Sequence, residues 1–471
     1  MIPERLEFLR SADLPPAQLT EVFEKTGESL YLVGGSVRDA FLERPVEDFD
    51  FATSARPEKV ASLLERWADV VFDVGATFGT IAARKGDHIV EITTFRDEIY
   101  RGHSRKPQVT FSDDIETDLS RRDFTVNAIA ITLPTLDPVD PYGGLADLAA
   151  QVLRTPLDPE ISFGDDPLRM LRLFRFQATL GFAPHPEAVS AVETMGDRLE
   201  IVSAQRISDE LSKLLLAPEP GEALRALVAS GLADHFLPEL PALAMEQDPH
   251  HRHKDVLEHT FAVVDKTHPD LVLRLAALLH DVGKPDTRDF GPDGVTFHHH
   301  EVVGARMARR RLRALRFSKD VVDDVSELVH LHLRPHTLKL GWSDSAVRRY
   351  VRDAGPLLDR LNELVRSDIT TANPRREEAI QRGIDELEQR IAELSEQEEL
   401  DRMRPPIDGH QVMGYLGLEP GPKVGEVLDM LLERRIEDGP YPPAQAYEMA
   451  REWALSQGMD DPGPAGLTEE E

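Results

Sequence analysis

The 471-residue chain contains no cysteine, which removes disulfides and thiolate zinc sites from consideration. It also lacks any apolar run near the roughly 20 residues needed to cross a bilayer. The opening residues, Met1-Ile-Pro-Glu-Arg-Leu-Glu7, have no basic segment followed by an apolar one, so no signal peptide is expected. Positive charge is scarce: 54 Lys and Arg stand against 85 Asp and Glu, a formal net charge of −31. Phosphate neutralisation needs basic surface, so a general nucleic-acid binder is disfavoured. Only local basic grooves remain open, with Arg101, Arg105 and Lys106 as one candidate. The stretch Arg306 to Arg316, six arginines in eleven residues, is another. With 41% hydrophobic and 30% charged residues, the composition is that of a soluble globular protein. A cytoplasmic location is expected, with neither DNA nor a membrane as partner.

At this length a single core is excluded and several domains are expected. Short β-type runs (Tyr31–Val33, Phe49–Ala52, Gly79–Arg84, His88–Thr94, Ala128–Leu133) alternate with helical patterns up to Arg154, and β signals then stop. Helical periodicity follows over 167–180, 186–195, 204–216 and 220–230. The expected organisation is a helical N-terminal extension (1–28) and an α/β head with a mixed sheet and flanking helices (29–155). After these come an all-α neck or body (156–248) and a histidine-rich all-α domain (249–374). A helical C-terminal region (375–458) and an acidic tail expected to be disordered (459–471) complete it.

The most telling stretch is Tyr31-Leu-Val-Gly-Gly-Ser-Val-Arg-Asp39 and its continuation to Thr53. An apolar strand enters a Gly34-Gly35 turn that lets backbone N–H groups approach a phosphate. Arg38 follows on a helix, and a second strand carries Asp48-Phe-Asp50. Residues at i and i+2 share one strand face, so the two carboxylates converge while Phe49 and Phe51 face the core. Paired carboxylates without softer donors suit Mg2+. In this order and spacing the residues closely resemble the head signature of class II nucleotidyltransferases, the family of CCA-adding enzymes and bacterial poly(A) polymerases.

That resemblance extends over roughly 29–375. Glu91, inside the apolar run His88-Ile-Val-Glu-Ile, is costly there unless paired or metal-bound, and is the candidate third carboxylate. The polar stretch Asp97–Asp113 resembles the family's flexible loop. Arg121-Arg-Asp-Phe-Thr-Val-Asn-Ala128 resembles the next motif, with Arg121 and Arg122 as triphosphate ligands beside Gly35 and Arg38. Asp140-Pro-Tyr-Gly-Gly-Leu-Ala-Asp147 resembles the head-to-neck junction. In Asp165-Asp-Pro-Leu-Arg-Met-Leu-Arg-Leu-Phe-Arg175, Asp166 is placed as an N-cap with Pro167 at the first helical position. Cytosine and adenine both present an amino donor beside a ring-nitrogen acceptor, which a carboxylate and a guanidinium can read together. The resemblance assigns that reading to Asp166 and Arg169, with Arg172 and Arg175 also at the nucleotide. Asp165 departs from the pattern, standing where many members carry Glu. Ser203–Lys213 resembles a last neck motif, expected to be structural.

Leu279-His-Asp-Val-Gly-Lys-Pro285, with histidines before and after it, resembles an HD domain. His259, His280, Asp281 and Asp368 would ring a divalent metal, with His300 and His330 as candidates for a second site; His250, His251 and His253 read as surface residues. Mixed imidazole and carboxylate donors suit Ni2+, Mn2+ or Co2+, and phosphohydrolase activity follows by resemblance. The activity implied for the whole is template-free addition of C, C and A to the tRNA 3′ end from CTP and ATP, with Mg2+ and release of diphosphate. Poly(A) synthesis on RNA ends is the alternative, and an HD phosphohydrolase with a non-catalytic RNA-binding head a more distant one. Oligomeric state is not encoded in any of these motifs.

Overall fold

In the computed structural model, residues 4–46, 48–75, 79–99, 108–245, 255–291, 294–334, 343–369, 374–398 and 404–465 are described. The chain divides into two compact units: Met1–Met245 with Arg311–Phe317, and Glu246–Arg310 with Ser318–Glu471.

In the first unit, α1 (Pro15–Glu24) and a 3-10 turn at Glu4–Arg10 precede the sheet. Leu6, Leu9, Leu19 and Phe23 are almost wholly buried, and Trp67 Nε1 donates to Gln18 Oε1. The expected N-terminal extension is thus packed into the head rather than appended to it. Strands β1 (Leu30–Val33), β2 (Phe49–Thr53), β3 (Val70–Gly75), β4 (Thr80–Lys85) and β5 (His88–Thr94) follow, with α2 (Gly35–Phe41) and α3 (Pro57–Leu64) between them. Next come β6 (Arg96–Ile99), β7 (Gln108–Phe111), α4 (Ile115–Ser120), β8 (Ala130–Leu133), β9 (Pro138–Val139) and α5 (Gly144–Ala150). The main sheet runs β3-β4-β5-β2-β1-β8-β9, and β2–β5 is a parallel pair in an otherwise antiparallel ladder. This is the mixed sheet with flanking helices that the sequence predicts.

Two segments differ from expectation. The edge strand β3 turns two apolar residues, Val70 and Phe72, to solvent on one face, so an apolar–polar alternation does not mark it in the sequence. The ends of the expected loop 97–113 form an antiparallel pair, β6 with β7. Its tip, with Arg101, Arg105 and Lys106, lies outside the described residues.

The helical body begins after β10 (Val152–Leu153) with α6 (Pro159–Asp165) and α7 (Leu168–Leu180). β11 (Ala183–Pro184) pairs briefly with β10, and α8 (Pro186–Met195), α9 (Ala204–Leu215) and α10 (Gly221–Ala229) complete it. Met170, Leu173 and Phe174 on α7 and Leu211 and Leu214 on α9 are buried, giving the body its core.

The second unit contains α11 (Val256–Lys266), α12 (Leu271–Leu279), α13 (Lys284–Thr287), β12 (Arg288–Gly291) and β13 (Gly294–Phe297). α14 (His300–Ala314), whose residues from Arg311 onward count with the first unit, α15 (Lys319–Leu331), α16 (Asp344–Ala354) and α17 (Leu358–Ser367) follow. The histidine-rich part is therefore helical but not all-α. Gly291 and Gly294 lie opposite each other in the β12–β13 hairpin, where backbone-permissive residues favour reversal. Helices α18 (Pro374–Glu398), α19 (Gly409–Leu416), α20 (Pro422–Asp438) and α21 (Pro443–Ser456) end the unit. The last three share a core of Val412, Val427, Leu431, Ala446, Ala450 and Ala454.

The tail expected to be disordered from 459 is ordered at its start. Met459 packs on the α19–α21 core, Arg451 binds Asp461, and the Tyr415 hydroxyl donates to the Gly463 carbonyl. An apolar anchor and a bidentate ion pair outweigh the Gly/Pro content there. Residues 466–471 lie outside the described set. Among the described residues no helix is long and apolar enough to cross a membrane.

Candidate active site and metal centre

A cavity of about 640 Å³ opens in the first unit. Gly34, Gly35, Arg38, Asp48, Asp50, Arg121, Arg122, Asp166, Arg169, Arg172 and Arg175 all line it, as do Arg96, Asp123, Asn127, Phe176 and Lys213. Every nucleotide-site residue expected from the sequence is therefore in one place, except Glu91.

Asp50 is on β2, with buried Phe49 and Phe51 on either side, and Asp48 is exposed just before the strand begins. In the parallel β2–β5 pair Asp50 lies directly opposite Glu91. β5 is an interior strand of the sheet, so Glu91 is not an edge residue although its side chain is exposed. Burial pushes the Asp50 carboxyl up to about 6; Arg122 opposes this, and Glu91 and Asp48 add to it. Three carboxylates so placed hold more negative charge than the nearby guanidinium balances. The donors are all hard oxygens, so the residues present fit a divalent cation. Gly34 has φ +74°, and a Cβ there would lie 2.9 Å from Arg122 Nη1 and 3.7 Å from Asp50 Oδ2. Only glycine combines that backbone with so close an approach.

The arginines are held by buried acids that the sequence reading missed. Asp118, with a side chain wholly buried, accepts from Arg121 Nη2 at 2.6 Å and from Arg122 Nη2 at 3.2 Å. Burial alone would raise its pKa, but the two guanidiniums outweigh burial and hold the carboxyl below its ordinary value. Asp123 accepts from Arg172 Nε and Nη2 and from the Asn127 amide. It is held well below the usual carboxylate range despite burial, first by Arg172. Arg38 donates to Asp39 and Asn127. The Arg175 Cζ stands 3.6 Å from the centroid of the Phe176 ring, with those of Arg38 and Arg172 at 5.4 and 5.6 Å. A buried aromatic ring thus spaces three guanidiniums that would otherwise repel.

Asp166 divides its two oxygens. Oδ1 accepts from the Leu168 N–H at the start of α7, as expected of a cap, and Oδ2 accepts from Arg206 at 2.6 Å. Arg169 is buried; its Nη1 donates to the carbonyl and hydroxyl of Ser162 and its Nη2 to the Arg121 carbonyl. The two expected base readers therefore line one cavity without pairing with each other. The α9 motif, expected to be structural, contributes Arg206, Glu210 and Lys213. Glu210 lies 2.7 Å from Arg175 Nε, and Lys213 lines the cavity. The signal was available, because 206, 210 and 213 share one helical face.

In the second unit two groups of metal-competent donors form: His259, His280 and Asp368, and Asp281, His300 and His332. Within each, the donor atoms lie inside 4.8 Å of one another. His259 Nε2 is 2.8 Å from Asp368 Oδ1 and 3.3 Å from His280 Nε2; Asp281 bridges towards His280 at 3.2 Å and His300 at 3.4 Å. The four expected ligands and His300 therefore converge. His330 does not: it is half-buried on α15, outside both groups, and His332 takes the place expected of it. Two residues turn a helix by about 200°, so only one of this pair can face the cluster. The Nε2 atoms of His300 and His332 are buried without a hydrogen-bond partner, while their Nδ1 atoms are engaged by the Phe297 and Val329 carbonyls. Such a tautomer leaves a lone pair free at each Nε2, which fits a metal. Burial opposes charge on His280, but Asp281 and Asp368 raise it to about 10; burial and His280 push His332 down to about 3. Gly283 makes the packing possible, since a Cβ there would lie 2.2 Å from the His300 carbonyl. His250, His251 and His253 lie outside the described residues.

A carboxylate pair on a mixed sheet facing an arginine-lined helical wall, with a separate histidine centre, defines a two-site protein of nucleotidyltransferase architecture. Comparison with known proteins agrees. Residues 30–154 match the Poly A polymerase head domain, 181–243 the probable RNA and SrmB-binding site of polymerase A, and 250–373 the HD domain. The A-adding tRNA nucleotidyltransferase of Deinococcus radiodurans is 34% identical over 441 residues, covering 90% of this chain and 95% of that protein. The chain belongs to this family of tRNA nucleotidyltransferases and poly(A) polymerases. The CCA-adding enzyme of Streptococcus pneumoniae is 43% identical over 229 residues, 48% of this chain and 55% of that protein, so the match spans about half the length of such relatives. The Bacillus stearothermophilus CCA-adding enzyme in complex with CTP superposes with a TM-score of 0.69 at 25% identity, covering 94% of this chain and 99% of that one.

Proposed function

We propose that this chain is a tRNA nucleotidyltransferase that adds C, C and A to tRNA 3′ ends from CTP and ATP, without a nucleic-acid template, in the cytoplasm. The observation that carries the reading is the single cavity in which Asp48 and Asp50 face Arg121, Arg122, Asp166 and Arg169. In this reading Gly35, Arg38, Arg121 and Arg122 hold the triphosphate, with Arg172 and Arg175 supporting it. Asp166 accepts from the exocyclic amino group of cytosine or adenine, and Arg169 donates to the adjacent ring nitrogen. Uracil and guanine present the opposite polarity there and are rejected. Asp48 and Asp50, with Glu91 beside them, would hold Mg2+, which when bound supplies Lewis-acid activation of the 3′-hydroxyl and neutralises charge on the departing diphosphate. The histidine centre, with His259, His280, Asp281, Asp368, His300 and His332, would hold a transition metal such as Ni2+ or Mn2+ and support phosphohydrolysis.

The near full-length similarity to an A-adding enzyme favours one second reading, addition of the terminal A alone. Sequencing the products formed on tRNA lacking CCA and on tRNA ending in CC, each with CTP plus ATP, decides between them. Extension of the first substrate by CCA supports the proposal. Extension only of the CC-ending tRNA, by one A, replaces it with the A-adding reading. A long A tract on either would make it a poly(A) polymerase. Asp48→Ala or Asp50→Ala should reduce incorporation by at least about 100-fold, since each removes a metal ligand rather than packing.

A further inference from the structure

The nucleotidyl-transfer reading leaves the arginine run 306–316 unused, and the structure sorts its members. Arg309 Nη1 pairs with Asp323, and Arg311 Nε pairs with Glu239 at 2.7 Å. Arg306, Arg310 and Arg313 are exposed. Among the described residues none of these three has a carboxylate partner. Spacings of four and three put them on one face of α14, over roughly 10 Å of helix axis.

The chain carries 85 acidic against 54 basic residues, so a mobile guanidinium has an excess of acids to pair with. The helix dipole accounts for cations only in the last turn. That covers Arg313, but not Arg306 or Arg310, which lie further back. Nor do the three cover apolar surface, because the buried side of α14 is supplied by Ala308 and Leu312.

We propose that Arg306, Arg310 and Arg313 form a contact strip for the phosphodiester backbone of the structured RNA whose 3′ end is extended. This rests on the tRNA reading of the transfer site and adds to it a surface on the histidine-domain helix. Charge complementarity selects the occupant. Guanidinium forks match phosphate oxygens, and contacts to phosphate position an RNA without reading its bases. Arginine is also better suited than lysine to two-point phosphate contact. The excess of acidic residues in the chain keeps non-specific RNA weakly held, so the strip adds to RNA binding rather than supplying it alone.

The test uses the full chain with Arg306, Arg310 and Arg313 all changed to Gln, against the parent and a triple Lys variant. Binding of a tRNA lacking CCA is measured by filter retention over a salt series, alongside KM for CTP. Removing three phosphate contacts should weaken tRNA binding roughly ten-fold near 0.1 M salt and lower the salt slope by roughly 2–3. KM for CTP should stay within about two-fold, since that contact lies elsewhere, and the triple Lys variant should recover most of the salt slope. If the parent binds tRNA and the Gln variant binds it with equal affinity and slope, the strip has no RNA role. If the parent binds anionic lipid vesicles through these arginines while tRNA binding is unchanged, the occupant is a membrane and the proposal falls. If the parent binds no tRNA at all, the transfer reading and the strip fall together.

Discussion

Asp118 decides more about the cavity than any residue that faces a substrate. Its wholly buried carboxylate receives both Arg121 and Arg122, so the pair is fixed in direction before any phosphate arrives. Removing one member of a buried ion pair leaves the others desolvated and uncompensated, at a cost of about 3–5 kcal/mol. Asp118→Ala should therefore lower stability by roughly that amount, read as a shift in the urea midpoint, and should weaken triphosphate binding as well. The sign of the pH effect follows from the depressed pKa values of Asp118 and Asp123. Their stabilisation is complete above the unfolded carboxylate value of about 4 and is lost as pH falls below it. The parent should accordingly lose stability steeply below about pH 4, and Asp118→Asn should show a shallower decline in urea titrations from pH 3 to 7. An unchanged slope would mean that Asp118 is not ionised in the fold. Asp50 runs the opposite way. Its raised value means that its ionisation costs stability as pH climbs from about 4 to about 6, a cost complete above that range and one that a bound cation would offset.

At the level of elements, α7 and α9 together form the arginine-lined wall, and α9 supplies the counter-charges. Asp166 caps α7 through Oδ1 and holds Arg206 through Oδ2. If Asp166 reads the base as proposed, Asp166→Asn keeps an oxygen for the cap but turns a donor towards the base. A desolvated mispairing costs roughly 1–3 kcal/mol, or about ten-fold to a few-hundred-fold in rate. Single-nucleotide kinetics should show CTP and ATP incorporation falling together and discrimination against UTP and GTP shrinking. Wild-type rates and selectivity would reduce Asp166 to a helix cap. What could be read in advance follows the range of each signal. Gly34-Gly35, Asp48 and Asp50 lie within one strand–turn–helix–strand passage, and α7 to α9 declare themselves by period and proline. Asp118 lies three and four residues from Arg121 and Arg122 and was within local range, but the partners of Arg172 and Arg175 could not be read that way. Arg172 finds Asp123 across 49 residues and Arg175 finds Glu210 across helices α7 and α9, pairings that exist only once the chain has folded. His330 and His332 were indistinguishable in sequence because helix rotation, not composition, chooses which one faces inward. The edge strand β3 and the β12–β13 hairpin escaped because half-exposed short strands lack clean alternation.

For the whole molecule, the two candidate sites lie in different compact units and, among the described residues, share no side chain. Asp48, Asp50 and the arginine wall belong to the first unit, and the His/Asp cluster to the second. Changing His280 and Asp281 to Ala together removes one donor from each metal group, and it removes the buried carboxylate along with its imidazole partner. Neither member of that pair is then left facing the gap of the other, while Lys284, which donates to Asp281 at 2.6 Å, loses that partner. If the histidine centre holds a transition metal as proposed, the double variant should retain less of it than the parent by elemental analysis, and lose at least about 100-fold of any phosphohydrolase activity on a chromogenic phosphodiester. Nucleotidyl transfer should change by less than about three-fold, because none of its ligands has been altered. A folded double variant that has lost nucleotide addition would show the opposite: the histidine centre would then be part of the polymerising machinery, and the residue-by-residue separation of the two sites would not extend to their function.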